Sequence, residues 1–352
     1  MKIALLTDTH FGARGDNSAL DKYFAKFYNE VFFPYIDKHE IKQIIHLGDI
    51  FDRRKYINFQ TLESCKKYFF DEIGKRDLKL DIIVGNHDIF YKNTNDVNSP
   101  NLLLQSYKNI ETISEPQIRR YGSCDILMLP WIVYNNYEKS MDLVRNGKAS
   151  VCFGHLQLAG FVMHKGHSAE DGYDPNEFKK FDLCCSGHYH HKSNQGNIHY
   201  LGSTYEMTWS DYEDPRGYHI FDTETRTIDY KQNPFNIFHK VYYDDQNKIF
   251  EELVNQYFEY LENCYVKVIV KNKNNPYWFD KFIDRLEKVN PINIQVVDDH
   301  LNLDLESEDD IVNEAESTLT ILNNYIETLE VKADKQQIRS TIKNLYDEAL
   351  SL

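Results

Sequence analysis

The chain has 352 residues, 41% of them hydrophobic, which is enough for a sizeable core and for roughly two domains or one domain with additions. Its net charge of −15 argues against binding nucleic acid by bulk attraction, but not against a local basic surface, since phosphate contacts need Lys and Arg only where they are made. The opening "MKIALLTD" is interrupted too soon by Asp8 to act as a signal peptide, and no apolar run nears the roughly 20 residues that span a bilayer, so no membrane is expected and the cytoplasm is the expected location.

In chain order, "KIALLT", "KQIIHLG", "KLDIIVG", "DILMLPW", "ASVCFG" and "FDLCCSG" read as strands, separated in the first half by helical patterns near 18–38, 58–74 and 99–108. That rhythm predicts an α/β layout. Ser99 followed by Pro100 marks the start of the third helix. The shorter runs "NIHYLGS", "RGYHIFD" and "TIDYK" predict that the later part of the sheet is antiparallel or mixed. "KQNPFN" reads as a boundary. Beyond it, a helix near 246–262, a strand "YVKVIVK", a helix near 277–288 and a strand "INIQVVD" predict a small α+β unit.

The acidic "VVDDHLNLDLESEDDIVNEAE" reads as a solvated linker. It leads into two amphipathic helices, Ala315, Leu319, Leu322, Ile326 and Leu329 being spaced four, three, four, three, with Ile338, Ile342, Leu345 and Ala349 continuing that pattern. The chain thus divides into 1–235, 236–300 and 301–352. Cys65, Cys124, Cys152, Cys184, Cys185 and Cys264 form no C-x-x-C pair and read as free thiols. "FDRRKY", "CKKYF" and "IRRYG" are positive clusters, each read as plain surface.

The chemistry lies at the strand ends. Asp8 and His10, Asp49, Asn86 and His87, His155, and His188 and His190 each follow or close an apolar run, and in open α/β sheets that edge is where ligands bind. A single D-x-H or G-H is weak evidence; five such ends together are strong. Imidazole, carboxylate and amide oxygen without thiolate suit manganese, iron or zinc, with magnesium less favoured. Seven ligand types exceed one ion's needs. One bridging carboxylate would divide them between two ions, which at roughly 3.5–4 Å apart hold a hydroxide and grip a phosphate.

In these residues the chain resembles the calcineurin-like metallophosphoesterases, whose ordered motifs D-x-H, G-D-x-x-D, G-N-H-[DE], G-H and G-H-x-H stand here as Asp8 to His10, Gly48 to Asp52, Gly85 to Asp88, Gly154-His155 and Gly187 to His190. The resemblance implies a β-sandwich flanked by helices, with a small capping domain and a helical tail. It implies that Asp8, His10, Asp49 and His190 hold one ion, and Asp49, Asn86, His155 and His188 the other. His87 would face the phosphate and leaving group, oriented by Asp52, while Asp88 would tie down its loop.

Within the superfamily, "GDIFD.RK", "VGNHD..YKN", "PW" and "DPRG" are similar to the SbcD-like DNA nucleases, the meiotic recombination eleven nuclease family, and among them to the recombination endonuclease subunits of T-even-type bacteriophages. This implies a manganese-dependent exonuclease and endonuclease acting on double- and single-stranded DNA. It further implies a homodimer formed through helices near 58–74 and 99–108, a cap that reads DNA, and a tail that docks on an SbcC-type coiled-coil ATPase. Two alternatives stand beside it. "GDIFDRR" also resembles the protein serine/threonine phosphatases, in which Arg53, with Arg54 beside it, would bind phosphate; an architectural subunit that tethers DNA ends is the other. His191, His46 and His199 read as surface or satisfied core histidines, and His164 and His167 as a polar loop.

Overall fold

The computed structural model describes residues 1–164, 167–298 and 341. The chain begins with four strands, β1 (Lys2–Leu6), β2 (Gln43–His46), β3 (Lys79–Ile83) and β4 (Ile110–Ile113), paired in parallel in that order. A second sheet follows with β5 (Gln117–Tyr121), β6 (Cys124–Leu129) and β7 (Val151–His155), then a hairpin of β8 (Val162–His164) and β9 (His167–Ser168). β10 (Leu183–Gly187), β11 (Ser193–Gln195) and β12 (Ile198–Tyr200) complete the second sheet, in the order β11-β12-β10-β7-β6-β5. β13 (Gly217–Asp222) returns to pair antiparallel with β1, and β14 (Thr227–Gln232) closes that edge, so both sheets are mixed.

Strand periodicity explains the layers. Side chains alternate across a strand, so in β1 Ile3 and Leu5 face one way and Ala4 and Leu6 the other. Ile3 and Leu5 join Ile45, Ile83, Met128 and Phe153 in the core between the two sheets. Ala4 and Leu6 pack beneath helices with Leu20, Phe24, Phe69 and Ile73. The outer face of the second sheet, through Leu127, Cys152 and Cys184, is covered by Met141 and Val144 of the helix Tyr137–Asn146. Strands buried on both faces read as unbroken apolar runs, which is why β1, β2, β3, β7 and β10 were legible in the sequence.

The helical pattern at 18–38 forms one run, Ser18–Phe27, Tyr28–Phe32 and Phe33–Lys38, whose middle piece is a wider π turn. The pattern at 58–74 does the same through Phe59–Cys65, Lys66–Phe70 and Asp71–Lys75. The two wide turns face each other, Tyr28 and Phe69 lying 4.6 Å apart between ring centroids. The third helix is shorter than predicted, Ser99–Leu104.

β15 (Phe238–Asp244), β16 (Tyr265–Asn272) and β17 (Asn293–Asp298) form a separate parallel sheet with its own core, covered by the helix Pro276–Glu287. The long helix predicted near 246–262 is instead Phe250–Val254 followed by a single 3₁₀ turn, Glu259–Leu261. Leu253 and Phe258 are both buried in this core, and five residues along an α-helix turn through about 140°, so a continuous helix could not point both inward. This unit abuts the larger one: Asn17 donates to the Tyr265 hydroxyl at 2.8 Å, and Glu206 accepts from the Ile237 and Phe238 amides at 2.7 and 3.1 Å.

All six cysteines are buried and unpaired. Among the described residues no helix is long and apolar enough to cross a membrane. The acidic linker and the two amphipathic helices expected over 301–352 lie, Thr341 apart, outside the described residues, as do Lys165 and Gly166 of the polar loop.

Candidate metal centre

The chain leaves the ends of β1, β2, β3, β7 and β10 at one edge of the paired sheets, and there the backbone is strained. Asp8, His10, Asp49 and His188 have φ of 50, 41, 55 and 88°, the left-handed region that costs a side-chain-bearing residue about 1–3 kcal/mol. Such cost persists only where packing enforces it. Phe11 and Phe51, bridged to each other beside His10 and Asp52, are both buried, and Phe11 packs among the rings of Tyr28, Tyr68, Phe69 and Phe70. Two glycines allow the close approach. Gly48 has φ 101°, and a Cβ on Gly85 would lie 2.2 Å from Asp49 Oδ1.

Three clusters of ligand types result, Asp8–His10–His190, Asp49–His155–His188 and His10–Asp52–His87. In the first, His10 Nε2 and His190 Nε2 face each other at 3.1 Å, with Asp8 Oδ1 4.0 and 3.9 Å from them. In the second, Asn86 Oδ1 lies 3.0 Å from His155 Nε2 and 2.9 Å from His188 Nδ1. Asp49 Oδ2 stands between the two, 3.2 Å from His155 Nε2 and 3.9 Å from His10 Nε2. All seven expected ligand residues are therefore gathered in one place.

Several contacts fix these groups. His155 Nδ1 donates to the Leu47 carbonyl at 2.7 Å, leaving Nε2 for the site. Asp8 accepts from the Thr7 hydroxyl at 2.6 Å and from the His188 amide. Asp88 is buried and accepts from the amides of Asp49, Ile50 and Gly85 at 2.9, 3.0 and 2.9 Å, so its carboxylate sews the β2 and β3 loops together. Beneath the last motif, buried Arg216 donates to the His190 carbonyl and pairs with Asp211 and with Asp214 at 2.8 Å.

Charge is the outstanding problem of the site. Asp8, Asp49 and Asp88 are buried with no Lys or Arg at ion-pair distance among the described residues. Burial raises the Asp8 carboxyl, and burial together with Asp49 pushes Asp88 up to about 6. Burial opposes ionisation of Asp49, but the imidazoles of His155 and His87 hold it well below the usual carboxylate range. Burial also brings His188 down to about 3 and His190 well below its ordinary value, keeping both imidazoles in the neutral form a cation requires. His155 is the exception: burial lowers it, yet Asp49 prevails and lifts it to about 9. Buried carboxylates facing neutral imidazole nitrogens fit divalent cations better than any other ligand class.

Other residues sort differently from the sequence reading. His87 is oriented by Asp52, but through the main-chain carbonyl, which lies 2.6 Å from His87 Nδ1. The Asp52 carboxylate turns instead toward His10 Nδ1, at 3.4 Å. Arg53 is occupied: it pairs with Asp16 at 2.8 Å and lies 4.9 Å over the Tyr56 ring. Arg54 has no carboxylate partner among the described residues; burial lowers its pKa, opposed by the charge of Asp49. His46 is a satisfied core histidine, with Nε2 3.0 Å from the Thr9 hydroxyl and Nδ1 accepting from the Gly48 amide. His191 turns away to Asp214 at 2.8 Å. Sequence reasoning missed Trp131, whose ring packs 4.9 Å from His188 and 5.9 Å from His155. It ends the run "DILMLPW", so the strand-end rule that found the ligands would also have found it.

The model of the calcineurin-like phosphoesterase family matches residues 1–192, which contain every one of these ligand types. The chain belongs to that family. Its sequence is 30% identical over 353 residues to "Exonuclease subunit 1" of Enterobacteria phage T4, covering 99% of each chain. It is 23% identical over 259 residues to an SbcCD nuclease subunit of Staphylococcus epidermidis, covering 65% of this chain and 67% of that one. A solved archaeal phosphodiesterase aligns over 66% of this chain and 99% of its own at 11% identity, with a TM-score of 0.33. Membership of that family implies divalent-metal binding, and the candidate ligand groups described above all lie within the matched residues.

Proposed function

We propose that this phosphoesterase is a two-metal, manganese-dependent DNA nuclease, cleaving as exonuclease and endonuclease in DNA-end processing, recombination and repair. The observation that carries the reading is Asp49 Oδ2 standing between His10 Nε2 and His155 Nε2, where one carboxylate serves two ligand clusters. Asp8, His10, Asp49 and His190 would hold one ion and Asp49, Asn86, His155 and His188 the other. When bound, the ions would activate water and neutralise charge on the phosphate. His87 stands beside them, its amide donating to Asp49 Oδ1 at 2.7 Å and its Nδ1 held by Asp52, so Nε2 is the nitrogen left to serve the leaving oxygen. DNA, double- or single-stranded, is favoured as substrate by the full-length likeness to an exonuclease subunit. The decisive assay gives the purified protein manganese and offers linear duplex DNA, single-stranded circles and a phosphoprotein. Cleaved DNA with an intact phosphoprotein is expected; the reverse would make it a phosphatase.

Arg54 is the better candidate for gripping the substrate phosphate, because Arg53 is already paired. Losing one charged hydrogen bond of about 1.5–3 kcal/mol lowers kcat/KM roughly 10- to 150-fold. Arg54→Ala is expected to show that loss, chiefly in KM and relieved at high salt, with Arg53→Ala showing less than a tenth of it. Equal losses in both variants would refute the distinction.

A homodimer is proposed through the helices near 58–74 and 99–108, where Tyr56 and Leu102, 64 and 61% exposed, line a cleft of about 150 Å³, and where Phe59 and Tyr91, close to that lining in the chain, are 87 and 52% exposed. Clustered exposed apolar side chains of this kind mark interaction sites. Leu102→Glu is expected to give monomers by analytical ultracentrifugation, and a dimer of unchanged affinity would remove this face from consideration. An SbcC-type coiled-coil ATPase is the proposed partner of residues 301–352, supported by the likeness to a component of the SbcCD nuclease.

A further inference from the structure

The Asp52 side chain lies at the junction of two histidines with different jobs. Its Oδ1 is buried, makes no hydrogen bond among the described residues, and faces His10 Nδ1 at 3.4 Å. Its carbonyl oxygen, on the other side, takes His87 Nδ1 at 2.6 Å. The two rings meet edge to face, 4.8 Å between centroids. One residue therefore lies against both imidazoles, hydrogen-bonded to His87 through its main chain and facing His10 with its side chain.

We infer that the Asp52 carboxylate is a positioning group for metal binding by His10, forming a carboxylate–histidine–metal relay, and is not the orienting partner of His87. The inference rests on the two-ion reading of the site. A carboxylate accepting from Nδ1–H places the lone pair on Nε2, the nitrogen that faces Asp8, Asp49 and His190. It also makes the imidazole a stronger donor. His87 needs no such help from the side chain, because a backbone carbonyl survives any substitution at 52.

The consequences separate cleanly. Removing the outer partner of a ligating histidine costs roughly 10–100-fold in metal affinity. Asp52→Ala is expected to weaken one of two manganese ions by that factor in calorimetric titration and to leave the other unchanged. At intermediate loading the spin-coupled signal of the ion pair should give way to that of a single ion. Asp52→Asn, whose amide oxygen still accepts from Nδ1–H, should fall between the two, and saturating manganese should restore most of the cleavage rate in both. If instead Asp52→Ala binds both ions at full affinity and stays slow at saturation, the side chain acts through His87 and the inference is wrong. Equal weakening of both ions with a lowered Tm would reduce Asp52 to a structural residue and also overturn it. An unsubstituted protein that takes up fewer than two ions would bring down the two-ion reading itself, and this inference with it.

Discussion

Asp49→Ala is expected to lose most of both manganese ions, a larger defect than any other single ligand substitution in this chain. Asp49 Oδ2 is 3.2 Å from one ligand cluster and 3.9 Å from the other, while Oδ1 accepts from the His87 amide at 2.7 Å. Its carboxylate is thus shared, whereas His10 and His155 each belong to one side. His10→Ala and His155→Ala should each vacate a single ion and leave the second measurable. Loss of one electrostatic stabiliser of a developing charge costs about 10²–10³ in kcat, and Asp49→Ala should exceed that. Metal analysis of the purified variants decides the matter. Two ions retained by Asp49→Ala would break the bridging assignment.

His87→Ser is expected to behave in the opposite manner, keeping both ions and DNA affinity while losing the chemical step. The amide that donates to Asp49 Oδ1 belongs to the main chain and remains. What disappears is an imidazole whose Nδ1 is fixed on the Asp52 carbonyl and whose Nε2 is left to act on substrate. General-acid assistance is typically worth 10²–10⁴-fold, and that is the loss expected in single-turnover cleavage. Emptied metal positions in the variant, or cleavage at the unsubstituted rate, would exclude this role. Asp52→Asn separates from it, since its defect should be rescued by manganese and that of His87→Ser should not.

The ligand types were legible because each sits where a buried strand stops. β1, β2, β3, β7 and β10 lie between a helical layer and a second sheet, so their apolar runs are unbroken and their ends conspicuous. β5 was not legible. Its "QIRRY" alternates half-buried and exposed positions at a sheet edge, with Arg119 paired to Glu111 and near Asp81, and so it resembled a charged surface segment. The helix near 246–262 failed for a related reason. Helical periodicity describes one face at a time, and the core of the smaller unit claims Leu253, Phe258 and Leu261 together.

By itself the sequence determined the α/β alternation, the order of the motifs and the chemical types at their ends, since periodicity and composition are local properties. Only the tertiary structure decided how those residues divide their labour. Arg53 and Arg54 are adjacent in the chain, yet one is consumed by Asp16 and the other is left without a carboxylate partner among the described residues. Asp52 presents its carbonyl to His87 and its carboxylate to His10, a split that no motif encodes. Asp88, directly after Asn86 and His87 in the chain, serves the backbone of two loops. The physical reason is common to all three: a side chain's task depends on which partner the fold sets beside it, and those partners come from the separate segments that follow β1, β2 and β3.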